Sequence, residues 1–93
     1  MASGGHAVDV REQAEWDAGH LEGSVWIPLG ELGARLHELP SDPLVIVCRS
    51  GSRSGMAADA LAAIGRDASN LAGGLLAWAA SGLPLEPADG RVL

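Results

Sequence analysis

Short apolar runs that alternate with helical segments predict an α/β fold, with a central, mostly parallel sheet of four to five short strands flanked by helices. Stop signals agree with this division, because each long helical segment runs into Pro or Gly. Size agrees as well. The 93 residues, 47% of them hydrophobic, suit one small domain with a modest core.

Taken in chain order, strands are expected over 7–10, 25–27, 44–47 and 68–71. A helical turn fits 13–18. Longer helices fit 29–39, 54–64 and 75–81, which stop at Pro40, at Gly65, and at Gly82 with Pro84. In the helix over 54–64, Met56, Ala60 and Ile64 join Ala57 and Leu61 in an apolar stripe expected to face the sheet, where alanines allow close approach. The chain has no Phe or Tyr, so aliphatic residues with Trp16, Trp26 and Trp78 are expected to anchor the core. The Gly-rich start, 1–5, and the stretch 85–93 are expected to be flexible or irregular around a single domain spanning about 6–84.

Charge excludes some partners. The formal net charge is −6, with six arginines, no lysine and no basic stripe, which argues against nucleic acid and anionic membrane. Neither a signal peptide nor an apolar run of about 18 residues is present, and one cysteine cannot form an internal disulfide, so a cytoplasmic location is expected. One cysteine and three scattered histidines show no ligand spacing, so neither metal nor cofactor is expected. His6 and His37 carry no supporting pattern.

The chemistry concentrates in Cys48-Arg49-Ser50-Gly51-Ser52-Arg53, which joins the apolar run 44–47 to the helix that follows. A strand, loop and helix in this order make an anion cradle, since loop N–H groups and the helix's first turn point at one centre. A thiol there ionises readily, and the thiolate is the nucleophilic form. Gly51 permits the turn, Ser50, Ser52 and Ser54 offer hydroxyl donors, and Arg49 and Arg53 supply positive charge for an oxyanion. Four residues separate Cys48 from Arg53. Cysteine-dependent phosphatases have one more residue in this loop, so phosphatase or arsenate reductase chemistry is disfavoured.

At this loop the chain resembles the rhodanese family of sulfurtransferases. Further segments match in the same order: Asp9-Val10-Arg11, Glu15-Trp16, Gly19-His20-Leu21-Glu22-Gly23 and Ile27-Pro28 upstream, then Asn70-Leu71-Ala72-Gly73-Gly74 and Trp78 downstream. The resemblance implies a rhodanese-like domain in which Cys48 takes the outer sulfur of a donor such as thiosulfate and passes it to cyanide or a cellular thiol. Arg49 and Arg53 would orient the donor, with Ser50, Gly51 and Ser52 completing the loop. The implied partners are a small anionic sulfur donor and a thiol acceptor such as a thioredoxin-like protein. A sulfur relay or regulatory binding module is the alternative. Family members usually carry a further strand before Asp-Val-Arg, for which this chain has only eight residues. An edge strand is therefore expected to be missing, and the chain to be a monomer or a weak dimer through the open edge.

Four other residues are expected to support the scaffold. Arg11 and Glu15, four apart, are expected to pair, and Asp9 to accept backbone N–H groups. His20, between Gly19 and Gly23, is expected to fasten a turn rather than move protons.

Overall fold

In the computed structural model, which describes residues 5–93, four strands form one wholly parallel sheet. The chain runs β1 (His6–Asp9), α1 (Gln13–Ala18), β2 (Val25–Trp26), a 3₁₀ segment (Leu29–Glu38), β3 (Leu44–Val47), α2 (Ser52–Ala63), β4 (Ala68–Asn70) and α3 (Gly74–Ala80). The strands lie in the order β2-β1-β3-β4. Chain order therefore reverses between β1 and β3, which pair from His6 opposite Leu44 to Asp9 opposite Val47. In such sheets ligands bind beyond the carboxyl ends of the strands at this reversal. Arg11 and Cys48 lie just past it. Among the described residues β4 pairs only with β3, so its outer edge is open; the expectation for residues 1–4 lies outside the described part.

Side-chain alternation sorts the core into two layers. Val8 and Val10 of the first strand and its extension, with Leu44, Ile46 and Cys48, pack beneath Ala57, Ala58 and Leu61 of α2. Ala7, Val47 and Leu75 pack on the other face with Leu21. Cys48 thus continues the Leu44–Ile46 row, and its side chain turns toward α2.

Several expectations are corrected. The segment expected as an α-helix over 29–39 is a 3₁₀ segment broken at Arg35, whose φ and ψ are −120° and 25°. Gly30 and Gly33 weaken a regular helix there, and Leu29 and Leu32, three apart, share a face of the tighter one. In α2 the face against the sheet is Ser54, Ala57, Ala58 and Leu61, whereas Met56, Ala60 and Ile64 are exposed. Closeness to the strands selects the small side chains and turns the larger ones outward. Of the three half-buried tryptophans, Trp78 packs against the second core layer as expected, whereas Trp16 and Trp26 lie outside both layers. Trp16 stacks on His20 at 3.7 Å and lies 6.1 Å from Trp26, so this aromatic group fastens α1 from outside the aliphatic core.

The stretch 85–93 is irregular, yet it is fastened to the domain. Glu86 and His20 exchange main-chain hydrogen bonds of 2.7 and 2.9 Å, and the Arg91 N–H donates to the Ala18 carbonyl at 2.8 Å. Leu85 and Val92 pack with the second core layer. Their apolar side chains and these bonds supply anchorage that a Pro- and Gly-containing stretch does not advertise. Among the described residues no helix is long and apolar enough to cross a membrane.

Candidate active site around Cys48

The loop after β3 is shaped by where its carbonyls go. The Cys48 and Arg49 carbonyls accept the Leu75 and Leu76 N–H groups of α3 at 2.9 and 3.0 Å. The Gly51 carbonyl accepts from the Asn70 amide at 3.0 Å and from the Gly55 N–H at 3.0 Å. With the carbonyls drawn outward, N–H groups remain for the interior of the loop. Glycine is required on both sides of this arrangement. Gly51 has φ +104°, and Gly74, with φ +61°, lies so close to the Cys48 and Arg49 carbonyls that a Cβ there would overlap them.

The donors meet at sulfur. Cys48 Sγ accepts from the Gly51 N–H at 3.1 Å and faces the Ser54 hydroxyl at 3.1 Å. The same hydroxyl lies 2.5 Å from Asn70 Oδ1. One O–H proton cannot serve both acceptors fully, so negative charge on sulfur would draw it from Asn70. Burial pushes the Cys48 thiol up, but the Ser54 hydroxyl and the N–H groups of Ser54, Gly51 and Ser50 outweigh it, leaving the pKa below its ordinary value. Hydrogen-bond donors make the main lowering contributions. Cys48 is 1% exposed, so the sulfur forms the floor of the cradle and not its mouth.

The arginines behave differently from expectation. Arg53 is not a mobile cation, since it donates to both Glu15 carboxylate oxygens at 2.7 and 2.8 Å. Its guanidinium holds Glu15 down at about 2 and is itself pushed up by that partner. Topology explains the match, because α1 follows β1 and α2 follows β3, the two strands at the reversal. Arg11 consequently pairs with Asp9 instead of Glu15. Its Nη2 donates at 2.8 Å to Asp9 and at 2.7 Å to the Gly19 carbonyl, and both Arg11 and Asp9 side chains are buried. Asp9 also accepts the Arg11 N–H at 3.0 Å. Arg49 is exposed and donates its Nε to the Leu93 main-chain oxygen at 2.7 Å. Ser50 and Ser52 are exposed on the loop, and His20 Nδ1 lies 2.9 Å from the Trp16 carbonyl.

Asn70 opens the segment that precedes α3, and the sequence alone does not mark it as a site residue. Its only signal is an amide at the carboxyl end of a strand, which becomes meaningful once β4 is known to lie beside β3.

The rhodanese-like domain family matches residues 1–81. A sulfurtransferase of Allochromatium vinosum is 39% identical over 85 residues, covering 89% of this chain and 79% of its own length. An HTH-type transcriptional regulator of Mycobacterium tuberculosis is 39% identical over 82 residues, covering 85% of this chain; the match spans 36% of that regulator. The crystal structure of a rhodanese-related protein from Thermoplasma volcanium superposes with a TM-score of 0.85 at 29% identity, covering 90% of this chain and 85% of that one. By family match, sequence relatives and fold, this chain belongs to the rhodanese-like domain family.

Proposed function

We propose that the domain is a sulfurtransferase that carries sulfane sulfur on Cys48, with thiosulfate as a competent donor. The convergence of the Gly51 N–H and the Ser54 hydroxyl on Sγ carries this reading. The Cys48 thiolate attacks the outer sulfur of thiosulfate, a new S–S bond forms, and the old S–S bond breaks with its electron pair leaving on sulfite. The loop N–H groups then stabilise negative charge on the persulfide. An acceptor thiolate or cyanide attacks the outer sulfur, and Cys48 departs as thiolate, which makes the kinetics ping-pong. Arg53 lies near enough to Cys48 to feel its charge while Glu15 shares its fork, and Arg49 is exposed on the same loop, so both are expected to meet an anionic donor.

Intact mass after thiosulfate treatment tests the proposal. Wild type should gain one sulfur atom that cyanide or a thiol removes, and Cys48→Ser should gain none. Absence of the adduct on wild type, or full turnover by Cys48→Ser, overturns it. The regulator relative, matched over only 36% of its length, carries the matching segment within a longer protein, and a second reading is that the domain relays sulfur inside such an assembly. In that case a persulfidated protein loads Cys48 where thiosulfate does not.

A further inference from the structure

We propose that Glu15 is a specificity-determining residue, whose carboxylate, held in the Arg53 fork beside the Cys48 loop, disfavours a dianionic sulfur donor relative to one that carries a single charge or none. The proposal rests on the sulfur-transfer reading above and names the donor class the site suits: a monoanionic thiosulfonate or an alkyl persulfide ahead of thiosulfate.

Three observations support it. First, Arg53 belongs to the cradle. It is the second residue of α2, beside Ser54, whose hydroxyl faces Sγ at 3.1 Å. Its pKa is pushed up chiefly by Glu15, against burial, and further by the charges of Cys48 and Glu12. Second, the open end of its guanidinium is taken, because Nη1 and Nη2 each donate to one Glu15 oxygen, at 2.7 and 2.8 Å. Third, Glu15 is held from its own helix as well. Its Oε1 accepts the Glu12 N–H at 3.1 Å in the capping box that starts α1, and its side chain is only 16% exposed.

Charge then decides between donors. Arg53 holds the Glu15 carboxyl at about 2, so Glu15 is fully ionised at neutral pH and cancels the Arg53 charge. A donor that displaced Glu15 would strand a part-buried carboxylate without its partner. One that did not would meet no net positive charge from this pair. Either cost grows with the donor's own charge. The chemical step is alike for all these donors: the Cys48 thiolate attacks the outer sulfur, a new S–S bond forms, and the donor's S–S bond breaks. The electron pair leaves on sulfite from thiosulfate, on a sulfinate from a thiosulfonate, and from a persulfide on a thiolate that takes the proton of the outer S–H. Glu15 touches no reacting atom and acts through Arg53 and its own charge.

Thiosulfate and methanethiosulfonate test this, because both present an outer sulfur and they differ by one negative charge. Glu15→Gln keeps the shape and removes the charge, so the ratio of kcat/KM for thiosulfate to that for methanethiosulfonate should rise about three- to tenfold over wild type. Glu15→Asp keeps the charge and should hold the ratio within about twofold of wild type. A merely structural pair would change both donors in parallel and leave the ratio fixed. That result in Glu15→Gln, a fall in its ratio, or an equal rise in Glu15→Asp overturns the proposal. Should Glu15→Gln fail to fold, Arg53→Ala decides, since it leaves the carboxylate uncompensated and should lower the ratio; an unchanged or raised ratio overturns the proposal. Wild type that takes sulfur from neither donor refutes the functional reading instead. Alkylation of Cys48 by anionic iodoacetate against neutral iodoacetamide then judges Glu15 alone. Glu15→Gln should raise that rate ratio about three- to tenfold, and an unchanged ratio overturns the proposal.

Discussion

At Cys48 the decisive feature is the set of partners given to one sulfur atom. Burial opposes the thiolate, and directed donors restore it. Ser54 is the side-chain donor in that set and the largest of the contributions that lower the thiol, so Ser54→Ala should raise the pH at which Cys48 ionises. The pH dependence of alkylation by iodoacetamide measures this directly. A midpoint that stays in place would mean that N–H groups alone hold the charge. Asn70 acts on the same atom indirectly, by holding the Gly51 carbonyl outward and by competing for the Ser54 proton. Asn70→Asp loses the amide donor and brings a negative charge toward sulfur. It should therefore raise the alkylation midpoint as well.

Among the elements, α1 and α2 are joined across the reversal by Glu15 and Arg53. Because Arg53 holds the Glu15 carboxyl at about 2, below its ordinary 4.5, this pair stabilises the folded chain above pH 4.5 and loses that contribution as pH falls through 2. Thermal melts should show Glu15→Gln less stable than wild type at pH 6, with the gap closing toward pH 2. The two faces of α2 should also respond unequally. Leu61→Ala empties a buried site and should cost about 2–5 kcal/mol, whereas Ile64→Ser on the exposed face should change stability by about 0.5 kcal/mol or less. Denaturant melts of the two variants check this. The same contrast shows what the sequence makes legible. All four strands, α1, α2 and α3 can be read from local pattern to within two residues at each boundary, and Cys48 with Gly51 from the loop composition. The face of α2 cannot, because apolar size suggests Met56 and Ile64 while strand proximity demands Ala57 and Ala58. Nor can the partner of Arg53, which lies 38 residues away and is brought near only by the strand order.

For the whole molecule, charge and architecture pull in opposite directions. The chain carries a net −6, yet its cradle is built from N–H groups and a hydroxyl, which suit an anion. Surface charges act over about a Debye length, roughly 30 Å in 0.01 M salt and 8 Å in 0.15 M, while contacts inside the cradle are much less screened. The molecule spans 36 × 26 × 21 Å, so at low salt nearly every surface carboxylate lies within reach of an approaching donor. Repulsion of a dianion should therefore limit its capture in dilute buffer, and salt should relieve this before it weakens the short contacts at the loop. The kcat/KM for thiosulfate should rise as an inert salt is increased from 0.01 to 0.15 M. A neutral or cationic sulfur donor should show no such rise. A fall for thiosulfate over that range would mean that Arg49 dominates the field at the cradle, and Arg49→Ala would then abolish the fall. A rise that persists in Arg49→Ala assigns it to the acidic surface as a whole.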